Sequence, residues 1–401
     1  MAVQLYITIV MTTNQPNPSL ATVFSEANMS SAEAENTLHQ LLMDSEVSQI
    51  LINGYDRLFY TDVNGVKQKP NVFLDEASYI ECLYNFIKMF VDTNDVFDVH
   101  LRSRTGVIEG SFNPNKTNIH GSLHVVTRDV ARRGPVVTIR KQPEIPITLE
   151  QMQQATANRK PVPAFNKGMQ DFLKAAVKGR SNILISGGSG VGKTTLMRAL
   201  SCGTGGIDPS HRVITIEEID ELHIANRIPN AVSLMTFRKQ NSSGESLLYV
   251  SVEDLVREAL RMRADRIWIG EVRGKEAYAL IKACNSGHEG SCTTIHADSA
   301  IQAIRQLITY TMEAGVSEQV AREQVSQAFS VVVQMGRGPF GRRIISEIVE
   351  IEPVSEGNVP RQNPLYHYDL ETDTFVQTGN PSNRLINQWK NRGGVNYYDL
   401  R

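Results

Sequence analysis

Gly187-Gly188-Ser189-Gly190-Val191-Gly192-Lys193-Thr194 is the stretch whose reading decides the fold. It fits the pattern G-x-x-x-x-G-K-[ST] and stands between an apolar run, Asn182–Ile185, that reads as a strand and a segment, Thr194–Leu200, that reads as a helix. Phosphate binding requires that order. Glycines let successive backbone N–H groups curl around a β-phosphate at a helix N-terminus, Lys193 can neutralise β- and γ-phosphates, and the Thr194 hydroxyl can ligate Mg²⁺. Gly187, Gly188, Ser189, Gly190, Val191, Gly192, Lys193, Thr194 and the adjoining Thr195 are therefore the predicted nucleotide-binding residues. An accidental glycine-rich turn would match about once or twice per hundred chains of this length. The strand-loop-helix setting makes the accident rarer still.

Outward from this loop, short apolar runs alternate with helical patterns. Arg212–Ile216, Arg266–Ile269, Ser291–Ile295, Ser330–Gln334 and Ile344–Ile351 join Asn182–Ile185 as strand candidates. Such alternation predicts a parallel-rich sheet covered by helices over residues 166–353. Upstream, Ile50-Leu51-Ile52, Asn53-Gly54 and Leu58-Phe59-Tyr60 read as strand, turn, strand, and Ile80, Leu83, Tyr84, Ile87, Phe90 and Val91 recur at helical spacing. Strand-like Val and Ile return in 119–141 around Gly134-Pro135, so 35–141 is predicted to be a smaller α+β domain. Pro143, Pro146, Pro161 and Pro163 punctuate 142–165, which reads as a linker carrying at most a short helix. Residues 1–34 read as a flexible leader, with Met11 a second possible start, and 354–401 as an appended, partly ordered tail.

Composition narrows the function classes. The chain has 401 residues, 41 Lys+Arg against 43 Asp+Glu and 41% hydrophobic residues, an ordinary globular balance for two or three domains. A net charge of -2 removes the strongest sign of a dedicated nucleic-acid binder. The longest apolar runs fall short of a bilayer span, so the protein is expected in the cytoplasm. Cys82, Cys202, Cys284 and Cys292 are scattered, which fits neither a disulfide framework nor a zinc ribbon.

Three further stretches carry chemistry. Ile267-Trp268-Ile269-Gly270-Glu271 is an apolar strand ending in an acid, as needed to bring a carboxylate to a metal-bound phosphate beside the loop; Gly270 stands where many P-loop enzymes carry Asp. Ile214-Thr215-Ile216-Glu217-Glu218-Ile219-Asp220-Glu221-Leu222 runs from a strand into four acids, placing a possible water-orienting base at the strand's carboxyl end. In Asn285–Ala297, His288 and His296 flank a strand, too few ligands to predict a metal centre.

Together, in this order, these elements resemble the secretion traffic ATPases, the hexameric P-loop motors of type II secretion, type IV pili, Tad pili and type IV secretion. Ile216–Leu222 looks like that family's Asp box, Leu260–Gly274 like its Walker B region and Ser286–His296 like its His box. Leu260-Arg261-Met262-Arg263, Glu271-Val272-Arg273-Gly274, Asn53-Gly54 and Thr138-Ile139-Arg140-Lys141 are most similar to the Tad-pilus and type IV secretion branch. The resemblance implies an α/β fold, a RecA-like P-loop NTPase domain with a smaller N-terminal α+β domain. It implies ATP and Mg²⁺ as cofactors, with Thr194 and Glu271 on the metal, Glu271 through water. It makes Glu221 the water-orienting glutamate, Glu271 its Walker B partner, Lys193 the third catalytic residue and His296 a contact on the γ-phosphate side. Arg140 would reach the nucleotide from the first domain.

As partners the resemblance implies five further copies in a homo-hexamer and inner-membrane platform or channel proteins, with peripheral contact at the cytoplasmic face of the membrane. Glu218 departs from the Asp usual in the Asp box, and Leu123 stands where the family commonly has Arg, a role for which Arg128 or Arg104 is available. Arg238, Arg261, Arg263 and Arg273 are candidates for an arginine acting on a neighbouring subunit. Two other classes share the core: a nucleic-acid translocase, against which the charge balance and the lack of an aromatic-basic platform count, and a scaffold that binds ATP without turnover, against which Glu221, Glu271 and Lys193 together count.

Overall fold

A computed structural model describes residues 31–400 except 63–64, 70–71, 93–105, 113–119, 143–146, 155, 158–159, 162, 241–245 and 354–359. The chain divides into two compact units, Met1–Gln142 and Pro143–Arg401.

In the first unit, helices α1 (Ser31–Met43) and α2 (Glu76–Phe90) accompany strands β1 (Gln49–Asn53), β2 (Leu58–Asp62), β3 (Gly65–Lys69), β4 (Val91–Asp92), β5 (Val107–Phe112), β6 (His120–Val126) and β7 (Val136–Gln142). The strands form one antiparallel sheet in the order β3-β2-β1-β7-β6-β5-β4. Alternation explains its single buried face: Ile50 and Ile52 on β1, Leu123 and Val125 on β6, and Val137 and Ile139 on β7 pack with Leu38 and Leu42 of α1 and Leu83 and Ile87 of α2. The predicted turn at Asn53-Gly54 requires its glycine, because φ is +92° and a Cβ there would lie 2.8 Å from the Arg133 carbonyl oxygen. Leu123 is fully buried, so an arginine at that position would place a charge in this core. Arg104 lies outside the described residues, and Arg128 is paired with Glu76 at 3.0 Å.

The second unit opens with α3 (Leu149–Gln153), capped by Thr148, a two-strand hairpin of β8 (Thr156–Ala157) and β9 (Lys160–Pro161), and α4 (Lys167–Lys178). There follow β10 (Ile183–Ser186), α5 (Lys193–Ser201), β11 (Val213–Glu217), β12 (Ala231–Met235), the hairpin β13 (Phe237–Gln240) and β14 (Ser246–Val250), α6 (Val252–Ala259), β15 (Arg266–Ile269), α7 (Glu276–Asn285), β16 (Cys292–Ile295), α8 (Ala300–Glu313) and α9 (Glu318–Ala328). The unit ends with β17 (Val331–Arg337), β18 (Arg343–Glu352), β19 (Arg361–Asp369), β20 (Thr374–Gln377) and α10 (Asn383–Gly393). Nine strands make one sheet in the order β12-β11-β15-β16-β10-β17-β18-β19-β20. The contacts from β12 to β17 are parallel, and those from β17 to β20 antiparallel.

Each of the six predicted strands is present within about a turn's length of its expected bounds. They read as continuous apolar runs because both faces are covered. On β10, Ile183 and Ile185 face the core made with α4, α5 and α10, while Leu184 between them faces the core made with α6 to α9.

Three boundaries are corrected. Residues 31–34, expected in the leader, begin α1, and Ala34 is buried in the first core. The 142–165 stretch is more than a linker: Gln142 ends β7, and Leu149, Met152, Ala164 and Phe165 are buried in the second unit. The expected tail is an integral part of the sheet and its cover. Leu365, Tyr366, Leu385, Ile386 and Trp389 join the same core as Phe172, and few but large side chains do the work that the sparse apolar composition concealed. Trp389 presses so closely on Gly179 at the end of α4 that a Cβ there would lie 2.1 Å from the indole Cδ1. Residues 1–30, including Met11, lie outside the described residues.

Candidate functional site

The loop between β10 and α5 has glycines at φ +151° (Gly187), +69° (Gly190) and +101° (Gly192), and α5 starts at Lys193 with Gly192 in the N-cap position. The backbone therefore turns sharply and aims the first N–H groups of α5 out of the sheet's carboxyl edge. Lys193 is buried, and its Nζ donates to the carbonyls of Gly187 at 2.8 Å and Gly188 at 2.9 Å. Burial pulls its ammonium below the ordinary value, with the Glu271 carboxylate opposing that pull.

Sheet order sets the rest. β16 lies between β10 and β15, so the residue just past its end, His296, stands between the phosphate loop and Glu271. Lys193 Nζ approaches His296 Nδ1 at 3.3 Å, and His296 Nε2 lies 3.0 Å from Glu271 Oε1. An ammonium can only donate, so Nδ1 is the acceptor and the proton sits on Nε2 of a neutral ring. Burial lowers the His296 pKa, with the Glu271 carboxylate opposing and Lys193 and Arg273 reinforcing the shift, which favours that neutral form. Glu271 Oε2 accepts from Arg273 Nη2 at 3.0 Å. Its Oε1, though close to His296, is buried without an aligned hydrogen-bond donor.

The acidic loop after β11 folds around its own first acid. Glu217 is buried, and its Oε1 accepts the backbone N–H groups of Glu221 at 3.1 Å and Leu222 at 3.0 Å. This turns Glu221 toward α5, where its Oε2 accepts the Thr194 hydroxyl at 3.3 Å. Burial and nearby Asp220 push the Glu217 carboxyl up to about 8. Sequence reading missed this residue; its position at the last residue of an apolar strand was the available signal. Glu217 also accounts for Gly270, since a Cβ at 270 would lie 3.2 Å from Glu217 Cγ. Thus Thr194 meets Glu221, whereas Glu271 meets His296 and Arg273. Arg273 also reaches Glu218 at 3.5 Å, while Arg261 is held by Glu258 at 3.3 Å and Arg238 lies on β13. Arg140 is carried by the first unit, exposed on β7 between Gln49 and Ser122.

The donor set fits a magnesium-bound nucleotide: a hydroxyl and two carboxylates at the mouth of a phosphate loop, one carboxylate oxygen buried without a donor. The family described as Type II/IV secretion system protein matches residues 114–368. The chain belongs to that family of secretion ATPases. Among its relatives, a putative conjugal transfer protein of Mycobacterium tuberculosis is 29% identical over 326 residues, covering 80% of this chain and 85% of the relative. The type IV secretion system protein PtlH of Bordetella pertussis is 28% identical, over 78% of this chain and 92% of its own. The X-ray structure of the ATPase DotB of Legionella pneumophila has a TM-score of 0.53 at 18% identity, covering 81% of this chain and 82% of that one, a likeness of fold. RecA-like architecture with a smaller N-terminal unit is common to both. No helix among the described residues is long and apolar enough to cross a membrane.

Proposed function

We propose that this secretion ATPase is a hexameric motor that hydrolyses ATP to ADP and phosphate and powers pilus assembly or retraction, or export, through a membrane-embedded secretion system. The observation that carries the reading is that four strand ends bring two contact groups to the phosphate loop, Thr194 with Glu221, and Lys193 with His296, which in turn meets Glu271.

In this reading Lys193 exchanges its two loop carbonyls for phosphate oxygens, a trade of neutral for charge-assisted bonds. Thr194, Glu221 and Glu271 would hold Mg²⁺, the carboxylates through water; bound there, it neutralises phosphate charge. Glu221, held from behind by Glu217, orients the attacking water and accepts its proton. His296, neutral and protonated on Nε2, presents a donor to the terminal phosphate and links that group to Lys193. Arg140, from the first unit, would contact nucleotide held by the second and couple the two. An arginine from a neighbouring copy would complete the charge, the reason for a ring.

Phosphate release should be measured with and without single-stranded DNA, anionic vesicles and a pilus-platform protein. Turnover stimulated by membrane or platform and indifferent to DNA is expected. Stimulation by DNA alone would favour a nucleic-acid translocase, and binding of ATP without turnover a scaffold.

A further inference from the structure

The phosphate loop has a neighbour that no motif predicts. β17 pairs with β10 as far as Gln334 opposite Ser186, then runs on beside the loop through Met335 to Arg337. A Cβ at Gly187 would lie 2.6 Å from the Met335 carbonyl oxygen, so loop and strand are in direct contact. At the same place the β17–β18 pairing shifts register between Gln334 and Met335, and such irregularities bend a strand and re-aim its side chains. Beyond the shift Arg337 stands directly opposite Arg343, both exposed. Arg337 Nη2 reaches the Gly190 carbonyl at 3.4 Å and Nη1 the Gly341 carbonyl at 3.3 Å. The Arg343 Cδ lies 3.5 Å from where a Cβ at Gly192 would be.

Two like charges directly opposite one another on an antiparallel ladder repel. Both reach the middle of a loop built to bind phosphate, at Gly190 and Gly192. The hydrogen bonds that hold Arg337 are long and go to neutral carbonyls, so they are easily exchanged for an anion. We infer that Arg337 and Arg343 form a cationic clamp that closes on the phosphate chain of the bound nucleotide from the same subunit, opposite Glu221 and Glu271. The inference rests on the nucleotide reading of the loop. Because the clamp flanks the loop's centre and the reacting acids lie on its other side, it contributes to nucleotide affinity in ground and transition states alike. Arg342 between them is engaged elsewhere, bonded to Asp373 and Tyr368.

Binding of ADP and of inorganic tripolyphosphate to the full chain by calorimetry tests this. Arg337→Ala and Arg343→Ala should each weaken both ligands about tenfold, Arg337→Lys should regain part of the loss, and Arg342→Ala should bind as wild type. The KM for ATP should rise with kcat nearly unchanged, the signature of lost uniform binding. The melting temperature should hold or rise, because charge repulsion is relieved; a fall would indicate a structural pair and overturn the clamp. Tripolyphosphate binding by the double variant within twofold of wild type would also overturn it, as would a loss confined to ADP, which would put the arginines on sugar or base. If wild type binds neither ligand, the nucleotide reading falls and the clamp with it; intact binding by the variants removes the clamp alone.

Discussion

Lys193 spends its charge on two carbonyls of its own loop and one histidine nitrogen, so its removal takes away the fixed cation of the site. Lys193→Ala should abolish turnover and weaken nucleotide binding; near-normal phosphate release would sink the enzymatic reading. Glu221→Gln and Glu271→Gln should keep ATP binding while hydrolysis falls roughly 10²–10⁴-fold, since an amide keeps the shape but cannot take a proton. A normal Glu221→Gln beside an inactive Glu218→Gln would move the base three residues upstream. Glu217 gives a pH signature. Its carboxyl is pushed from an ordinary 4.5 up to about 8, so between those values the folded chain holds a proton that the unfolded chain has released. Stability from this group is full at low pH and declines as pH rises toward 8. Melting temperatures between pH 5.5 and 8.5 should therefore decline more steeply for wild type than for Glu217→Gln, and parallel slopes would mean that the carboxyl titrates normally. The loop residues, Glu221, Glu271 and His296 could be named as candidates from the sequence because each stands in a contiguous word with its own chemistry. Arg337 and Arg343 could not, because their place beside the loop is set by the pairing of β17 with β10 and β18, which no local pattern encodes, and Glu217 was passed over among four neighbouring acids although it alone ends the apolar strand.

At the scale of elements, buried strands were legible and edge strands were not. β10, β11, β15, β16, β17 and β18 are covered on both faces and spell apolar runs. β12, half-buried at one edge, β20, four residues long at the other, and its neighbour β19, polar and interrupted by Pro364, offer no such run. α10 carries only Leu385, Ile386 and Trp389 as buried side chains, yet the indole touches Phe172 and Tyr397 and donates to Ser181 Oγ at 2.8 Å. Trp389→Ala should cost about 3–5 kcal/mol in the second unit, read by denaturant unfolding. A loss under 1 kcal/mol would return 354–401 to the status of an appendage.

For the whole molecule the prediction is assembly. Mass in solution with a non-hydrolysed ATP analogue and Mg²⁺ should correspond to six copies, and a stable monomer at micromolar concentration would count against the ring. Arg140→Ala, an exposed change with little cost to folding, should lower both turnover and the nucleotide-dependent compaction seen by small-angle scattering. Equal compaction and turnover in variant and wild type would reduce Arg140 to a surface charge.

The place of Trp389 also governs how the protein is made. The first unit closes its sheet with β7, which ends at Gln142, so all the strands of that sheet and the helices α1 and α2 that share its core are already synthesised when the second unit begins to emerge. The second unit is different: β10 pairs with β16 and β17, more than a hundred residues later, and α4 waits for an indole that arrives only with α10. On the ribosome, then, the N-terminal unit can fold as it appears, whereas the phosphate loop is translated early and stays without its supporting core until the last strands and helix have left the tunnel. Nascent chains stalled near residue 353 should accordingly show a protease-resistant first unit and a digestible second, and an ATP-competent site should appear only after Trp389 has emerged.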